Sequence, residues 1–152
     1  MTESVSQISR DLFDSGFYCA ESVLLAIAGR RGIQSDLIPG MATGFCSGMS
    51  RTCGMCGAVT GGIMAINMVA GRASPDDSVE ENYLLVRRLL DMFKGKFGTL
   101  NCRELIDCDL GTQKGREKFQ ADNLSRRCRE YTAEAAAMAL LLIEESGVHP
   151  PP

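Results

Sequence analysis

Two cysteines three residues apart, with glycines around them, make residues 53–61 the part of this 152-residue chain best suited to chemistry. An apolar stretch over residues 62–70 follows directly, and it predicts a buried helix with Cys56 in or just before the first turn. Backbone N–H groups are unpaired in a first turn and the helix dipole is positive there, so a thiolate is favoured over a thiol. The segment therefore predicts a reactive sulfur at a helix start.

Cys53 and Cys56 could also react with each other. Side chains three residues apart in a turn or helix start lie about 5–6 Å apart, so a modest adjustment would form a disulfide. Such a pair is moderately specific for redox or metal chemistry, but the strand that precedes the motif in thioredoxin is missing here. No histidine follows Cys56, which excludes c-type haem attachment, and the loop lacks the Gly-Lys-Ser/Thr ending of a nucleotide-binding loop.

Three further cysteines have surroundings that favour a thiolate. Cys19 and Cys102 fall in the first turns of predicted helices, and Cys102 is followed by Arg103. Cys128 lies early in the last predicted helix, between two arginines. Positive potential lowers the pKa of a thiol, so these positions join Cys56 as candidates for redox or ligand roles.

The remaining cysteines have weaker support. Cys108 lies between two aspartates, whose charge should raise its pKa and make it a poor nucleophile. Cys46 has only the flexibility of a glycine-rich loop in its favour. Free cysteine is also a good small core residue, which is the simplest explanation for any one of the seven. The lone histidine, His149, lies in a tail expected to be disordered, so a Cys–His hydrolase is excluded.

The order of these cysteines resembles that of the C_GCAxxG_C_C family of redox-active proteins. Cys56-Gly57-Ala58-x-x-Gly61 is similar to the CGAxxG motif of that family, which has one cysteine upstream of the motif and two downstream. The resemblance runs over about residues 13–143, and the matching cysteines are Cys19, Cys56, Cys102 and Cys128. The resemblance implies a redox-active protein whose chemistry uses these four residues. It limits the class of protein but does not define the reaction.

Three mechanisms stay open at this point. In the first, a thiol–disulfide oxidoreductase, Cys56 attacks an oxidant or a disulfide of a partner protein or small molecule, and Cys53 or Cys19 resolves the product. In the second, Cys19, Cys56, Cys102 and Cys128 hold an iron–sulfur cluster or a soft metal ion such as zinc or copper. In the third, the chain is a helical interaction protein whose cysteines only pack.

Helical periodicity and well-placed glycines predict an all-α fold, without a strand. We expect one compact bundle of about five to seven helices around a Gly/Cys-rich loop, with residues 1–146 forming the domain and 147–152 a disordered tail. In the helix expected to end at Phe97, Ser74 is the predicted N-cap, Pro75 the first residue, and Tyr83 part of the buried face. The predicted helices cover residues 5–14, 18–30, 37 onward, 56–70, 75–97, a short segment at 102, 114–123 and 125–145.

Composition limits the remaining possibilities. A hydrophobic content of 45% allows one domain with a core, and a net charge of −3 gives no case for binding nucleic acid or an anionic membrane. The N-terminus shows no signal segment and the apolar tracts are too short to span a bilayer, so a cytoplasmic protein is expected. Gly57, Gly61 and Ala65 form a bare stripe that could serve a homodimer contact as easily as an internal one.

Overall fold

A computed structural model describes residues 2–149 and shows an all-α bundle. The eight α-helical segments in this range exceed the five to seven expected, and a 3₁₀ helix over Gly40–Phe45 precedes the third. Instead of a strand, the described part of the chain has a single antiparallel bridge between Met55 and Asn101. The helices are α1 (Val5–Asp14), α2 (Cys19–Arg31), α3 (Cys46–Arg51), α4 (Gly57–Ala70), α5 (Glu80–Phe97), α6 (Cys102–Ile106), α7 (Gln113–Ala121) and α8 (Ser125–Ser146).

Helix α4 is the centre of the bundle. It packs against α2 on one side and α8 on another, while α1 covers α2 and α8, and α5 covers α4 and α8. Burial of apolar side chains from these five helices supplies the main stabilisation. None of the helices in residues 2–149 is both long and apolar enough to cross a membrane. The largest fully buried apolar side chains are Leu24, Ile27, Ile66, Leu89, Phe93, Ile106, Leu142 and Ile143.

The stripe of small residues on α4 makes an internal contact with α2. A methyl group added to Gly61 would lie 2.7 Å from the carbonyl oxygen of Ala20 and 2.9 Å from its Cα, so the two backbones touch here. Four residues earlier, Gly57 faces Cys19 in the same way, which means that α2 and α4 run in the same direction. Their starts therefore lie side by side at one end of the bundle.

The start of α5 differs from the prediction. The carboxylate of Asp77 accepts hydrogen bonds from the backbone N–H groups of Ala73 and Ser74, both at 3.0 Å. This closes a separate turn, so Ser74 and Pro75 do not begin the helix, and α5 starts at Glu80 instead.

The inward face of α5 was only partly predicted. Leu85, Leu89 and Phe93 are buried, whereas Tyr83 is 55% exposed because it lies on the other side of the helix. Phe93 meets the ring of Tyr131 on α8 edge-on, with 6.0 Å between ring centroids. This aromatic contact fixes the side chain of Tyr131, which lines the cavity described below.

Two further predictions concern the short helix from residue 37 and the C-terminal tail. Residues 36–39 form turns, so the short helix expected from residue 37 begins later, as the 3₁₀ helix. Of the tail expected to be disordered, residues 150–152 lie outside the described residues. In the described part of the tail, the carbonyl oxygen of Val148 accepts a hydrogen bond from the guanidinium of Arg31 at 3.1 Å, and the ring of His149 lies 3.2 Å from the same guanidinium.

Ser22 allows a test of how an unpaired polar group in the core affects stability. Its side chain is fully buried on α2, and within residues 2–149 its hydroxyl has no hydrogen-bond partner. We expect Ser22→Ala to raise the free energy of unfolding by about 1 kcal/mol, because the substitution removes an unpaired buried polar group. Ser9→Ala is the matched control, since the equally buried hydroxyl of Ser9 donates to the carbonyl oxygen of Ser6 at 2.8 Å. Urea denaturation of both variants should show stabilisation in Ser22→Ala alone.

Candidate functional site

A cavity of about 270 Å³ lies where the starts of α2, α4, α6 and α8 meet. The structure brings four of the five predicted site residues to its wall: Cys19, Cys56, Cys102 and Cys128. They come from four different helices, and up to 46 residues separate neighbours in sequence, as between Cys56 and Cys102. The cavity is therefore a product of the tertiary fold.

Backbone hydrogen bonds between two loop segments hold two of these cysteines together. The N–H of Cys56 donates to the carbonyl oxygen of Leu100 at 2.8 Å, and the N–H of Cys102 donates to that of Gly54 at 2.9 Å. The side-chain amide of Asn101 also donates to the carbonyl oxygen of Cys53 at 2.8 Å. Cys56 thus reaches the cavity as the N-cap of α4, and Cys102 as the first residue of α6.

The segment α3 is not a regular α-helix, because its central residues form a left-handed turn that covers Cys102. Four successive residues, Ser47–Ser50, have φ between 57° and 62°, a conformation that side chains other than glycine adopt at a cost of about 1–2 kcal/mol each. Glycine is required at position 48, because a methyl group there would lie 2.6 Å from the Cβ of Cys102 and 3.0 Å from its sulfur. The sequence predicted only an irregular loop for this segment, whereas the structure shows it wrapped closely over a cavity thiol.

Cys128 and its arginine neighbours are arranged differently from the prediction. Cys128 is the fourth residue of α8 and half-buried. The guanidinium of Arg129 forms a double hydrogen bond with Asp14 on α1, at 2.8 Å for each contact, and thus serves the α1–α8 contact. Arg127 lowers the pKa of Cys128, but it is the smallest of the influences on this thiol.

Three thiols of the cavity, those of Cys56, Cys102 and Cys128, have raised pKa values, whereas the sequence predicted lowered ones. Burial raises the pKa of Cys56 to about 12, that of Cys128 to about 12 and that of Cys102 to about 11. The backbone N–H groups of Ala58 and Val59 do lower the pKa of Cys56, as a helix start should, but desolvation has the larger effect. Neighbouring cavity cysteines raise these pKa values further, because several thiolates would repel one another.

Cys53, the fifth predicted site residue, is not among the described residues that line the cavity. Its thiol donates a hydrogen bond to the carboxylate of Asp109 at 3.2 Å, and this contact is the main reason why its pKa is raised. Its backbone is left-handed, with a φ of 62°. The Cys-x-x-Cys spacing therefore does not place both sulfurs on the same wall.

Asp109→Asn should make Cys53 more reactive. Loss of the carboxylate charge lowers the pKa of Cys53, so a larger fraction is thiolate at pH 8 and alkylation becomes several-fold faster. Iodoacetamide labelling followed by peptide mass spectrometry measures this rate at Cys53 alone. Asp107→Asn is the control, because Asp107 is not among the groups that shift the pKa of Cys53. Equal rates in wild type and Asp109→Asn would contradict the proposed electrostatic effect.

Cys46 and Cys108, the two cysteines with the weakest support from sequence, are not among the described residues that line the cavity. Cys46 is 4% exposed and lies against Cys19, while Cys108 packs in a small apolar cluster with Cys102. Nothing in the residues flanking Cys46 indicates this contact. The sequence feature that relates to this contact is Gly57. Because glycine has no side chain, the sulfur of Cys19 has room to lie there, next to Cys46.

The rest of the cavity wall is mostly apolar and aromatic, with two cationic side chains, Arg51 and Arg116. Within residues 2–149, no three Cys, His, Asp or Glu side chains are grouped closely enough to hold one metal ion. The aromatic residues of the wall are Phe13, Phe17, Tyr18, Phe119 and Tyr131.

Comparison with known proteins agrees with this arrangement. Residues 17–141 match the family described as "Putative redox-active protein (C_GCAxxG_C_C)", a range that contains all four cavity cysteines. Searches of curated proteins and of solved structures give no match to this chain. Because the family match covers most of the sequence, the chain belongs to the C_GCAxxG_C_C family of redox-active proteins.

Proposed function

We propose that the protein transfers electrons through an iron–sulfur cluster held in the cavity by Cys19, Cys56, Cys102 and Cys128. The observation that carries this proposal is that these four thiols, from four separate helices, line one cavity. Four cysteine thiolates are the common ligand set of both [2Fe–2S] and [4Fe–4S] clusters. When bound, such a cluster accepts and releases single electrons.

The raised thiol pKa values support a ligand role over a nucleophilic one. A nucleophilic cysteine needs a lowered pKa, whereas burial raises the pKa of Cys56 to about 12. A metal centre replaces the thiol protons and compensates the charge of several thiolates that would otherwise repel one another. The burial that makes the thiols of Cys56, Cys102 and Cys128 poor nucleophiles therefore suits them to a shielded metal centre.

The rest of the wall suits an anionic cluster. Arg51 and Arg116 bring positive charge to the cavity, and a guanidinium N–H of Arg116 is anchored on the carbonyl oxygen of Leu110 at 2.9 Å. A cluster with four thiolate ligands carries net negative charge, which these cations offset. The apolar side chains around it limit water access, a property that sets the reduction potential of such centres.

Anaerobic purification tests the proposal. Protein reconstituted with ferrous iron and sulfide should retain both after desalting, and its visible absorption should bleach on reduction with dithionite. Iron and acid-labile sulfide are then measured per chain. The proposal would be contradicted if the protein stays colourless and metal-free after reconstitution and melts at the same temperature as untreated protein. Retention of zinc or copper alone would favour the soft-metal alternative.

A second candidate is thiol–disulfide exchange with a partner protein or a small disulfide. The observation that favours it is that Cys19 lies over the start of α4, where Cys56 is the N-cap, so two cavity thiols come from adjoining helix starts. A reversible two-electron titration of the metal-free protein, lost in Cys56→Ser, would support this candidate. If all seven thiols react only after unfolding, a purely structural role for the cysteines is favoured instead.

Seven cysteines, an odd number, suit a reducing compartment better than a framework of disulfides. A cytoplasmic location is therefore part of the proposal. A redox partner that exchanges electrons with the cluster at the mouth of the cavity is also part of it.

A further inference from the structure

Cys46 lies outside the four-cysteine pattern but directly beside one of its members. A methyl group added to Gly57 would overlap the sulfur of Cys19 and lie 3.1 Å from the Cα of Cys46, so that sulfur and that Cα are close neighbours. Cys46 is therefore a candidate disulfide partner of Cys19.

The two sulfurs differ in access. Both residues are buried, but Cys19 lines the cavity, whereas Cys46 is not among the described residues of its wall. The thiol of Cys46 points to the carboxylate of Glu21, with 3.8 Å between sulfur and oxygen, and to the carbonyl oxygen of Ala42 at 3.7 Å. A reagent that enters the cavity therefore meets Cys19 first, and Cys46 stands behind it.

We propose that Cys46 is the resolving cysteine of Cys19, so that a low-molecular-weight disulfide entering the cavity is reduced and leaves a Cys19–Cys46 disulfide. The inference shares its cavity with the proposed function but does not require a cluster. It adds a second redox site that uses a cysteine outside the family pattern.

The exchange has two balanced steps. Cys19 loses its proton and attacks one sulfur of a disulfide RSSR, which forms a mixed disulfide and releases one RSH. Cys46 then gives up its proton and attacks the sulfur of Cys19, so that the Cys19–Cys46 bond forms, the mixed disulfide breaks, and the leaving thiolate takes up a proton to become the second RSH. Overall two protein thiols lose two electrons and two protons, and RSSR gains both to become two RSH.

Cluster binding and this disulfide exclude each other, because both need the sulfur of Cys19. Oxidation of the pair would remove one of four ligands from the cavity. The same residue would therefore connect the redox state of small thiols to the capacity of the site to hold metal.

Treatment of the metal-free, reduced protein with 2-hydroxyethyl disulfide tests the inference. After quenching with iodoacetamide, proteolysis and mass spectrometry should detect a linked pair of peptides that contain Cys19 and Cys46. In Cys46→Ser the linked pair is lost and the hydroxyethylthio adduct stays on Cys19. Cys53→Ser is the matched control, in which the linked pair should form as in wild type.

Several results would overturn the inference. They are a lasting adduct on Cys19 in wild type, a disulfide between Cys19 and Cys56, or no reaction at Cys19 at all. The wild-type result needs no variant, so it stands even if Cys46→Ser fails to fold. Because no metal is present, the outcome is independent of cluster binding, and each proposal can fail while the other holds.

Discussion

Cys128→Ala is expected to lose iron and sulfide completely on anaerobic reconstitution while the protein stays folded. The substitution removes one of four sulfurs from the cavity wall and leaves an alanine, the best helix former, in the first turns of α8. A cluster held by only three thiolates is exposed to exchange and loss. Metal and sulfide analysis, with circular dichroism as a check on helix content, measures both expectations.

Cys108→Ala is the matched control for this experiment. Cys108 is 8% exposed, similar to Cys19, Cys56 and Cys102, and packs beside Cys102, but it is not among the described residues that line the cavity. We expect this variant to retain wild-type iron and sulfide content. Equal loss in both variants would mean that cysteine burial in general, and not the four-sulfur wall, determines metal retention.

Gly61→Ala should destabilise the protein strongly. Its new methyl group would meet the backbone of Ala20 at 2.7 and 2.9 Å, and backbone atoms cannot rotate away as the end of a side chain can. We expect a loss of about 3 kcal/mol in the free energy of unfolding. For a domain of this size that corresponds to a decrease of roughly 6–12 °C in melting temperature.

Two other glycines serve as graded controls. At Gly62 an added methyl group would meet the end of the Leu89 side chain at 2.8 Å, which can shift, so a smaller loss is expected. Gly95 lies on the exposed side of α5 with open space around it, so Gly95→Ala should stabilise the protein by about 0.5–1 kcal/mol. Thermal denaturation of the three variants should give this order. A small effect at Gly61 would contradict the close contact between α2 and α4.

Local sequence signals were sufficient for most helices. The bounds of α1 were predicted from apolar spacing alone, and glycines such as Gly98, which has a φ of 86°, end helices where expected. Position 74 shows the limit of such reasoning. Its serine and the proline after it have the usual composition of a helix start, but Asp77, three residues further on, forms a competing turn with the same backbone groups. Two local structures were compatible with one short segment.

The chemistry of the site was harder to predict, because the pKa of a thiol depends on long-range packing. The sequence correctly places Cys56 at a helix start, where N–H groups lower its pKa. It does not reveal that α2 and α8 bury the same thiol, and burial has the larger effect. The contact between Cys46 and Cys19 depends on tertiary structure in the same way, since 27 positions separate the two residues in the sequence.

The paired hydrogen bonds between residues 54–56 and 100–102 have a mechanical consequence. Because these bonds join the two segments, a displacement of either segment moves the sulfurs of both Cys56 and Cys102. The site would then gain or lose these two ligands together, as a single switch-like event. The other two sulfurs, of Cys19 and Cys128, lie on α2 and α8, outside the two segments that these hydrogen bonds join.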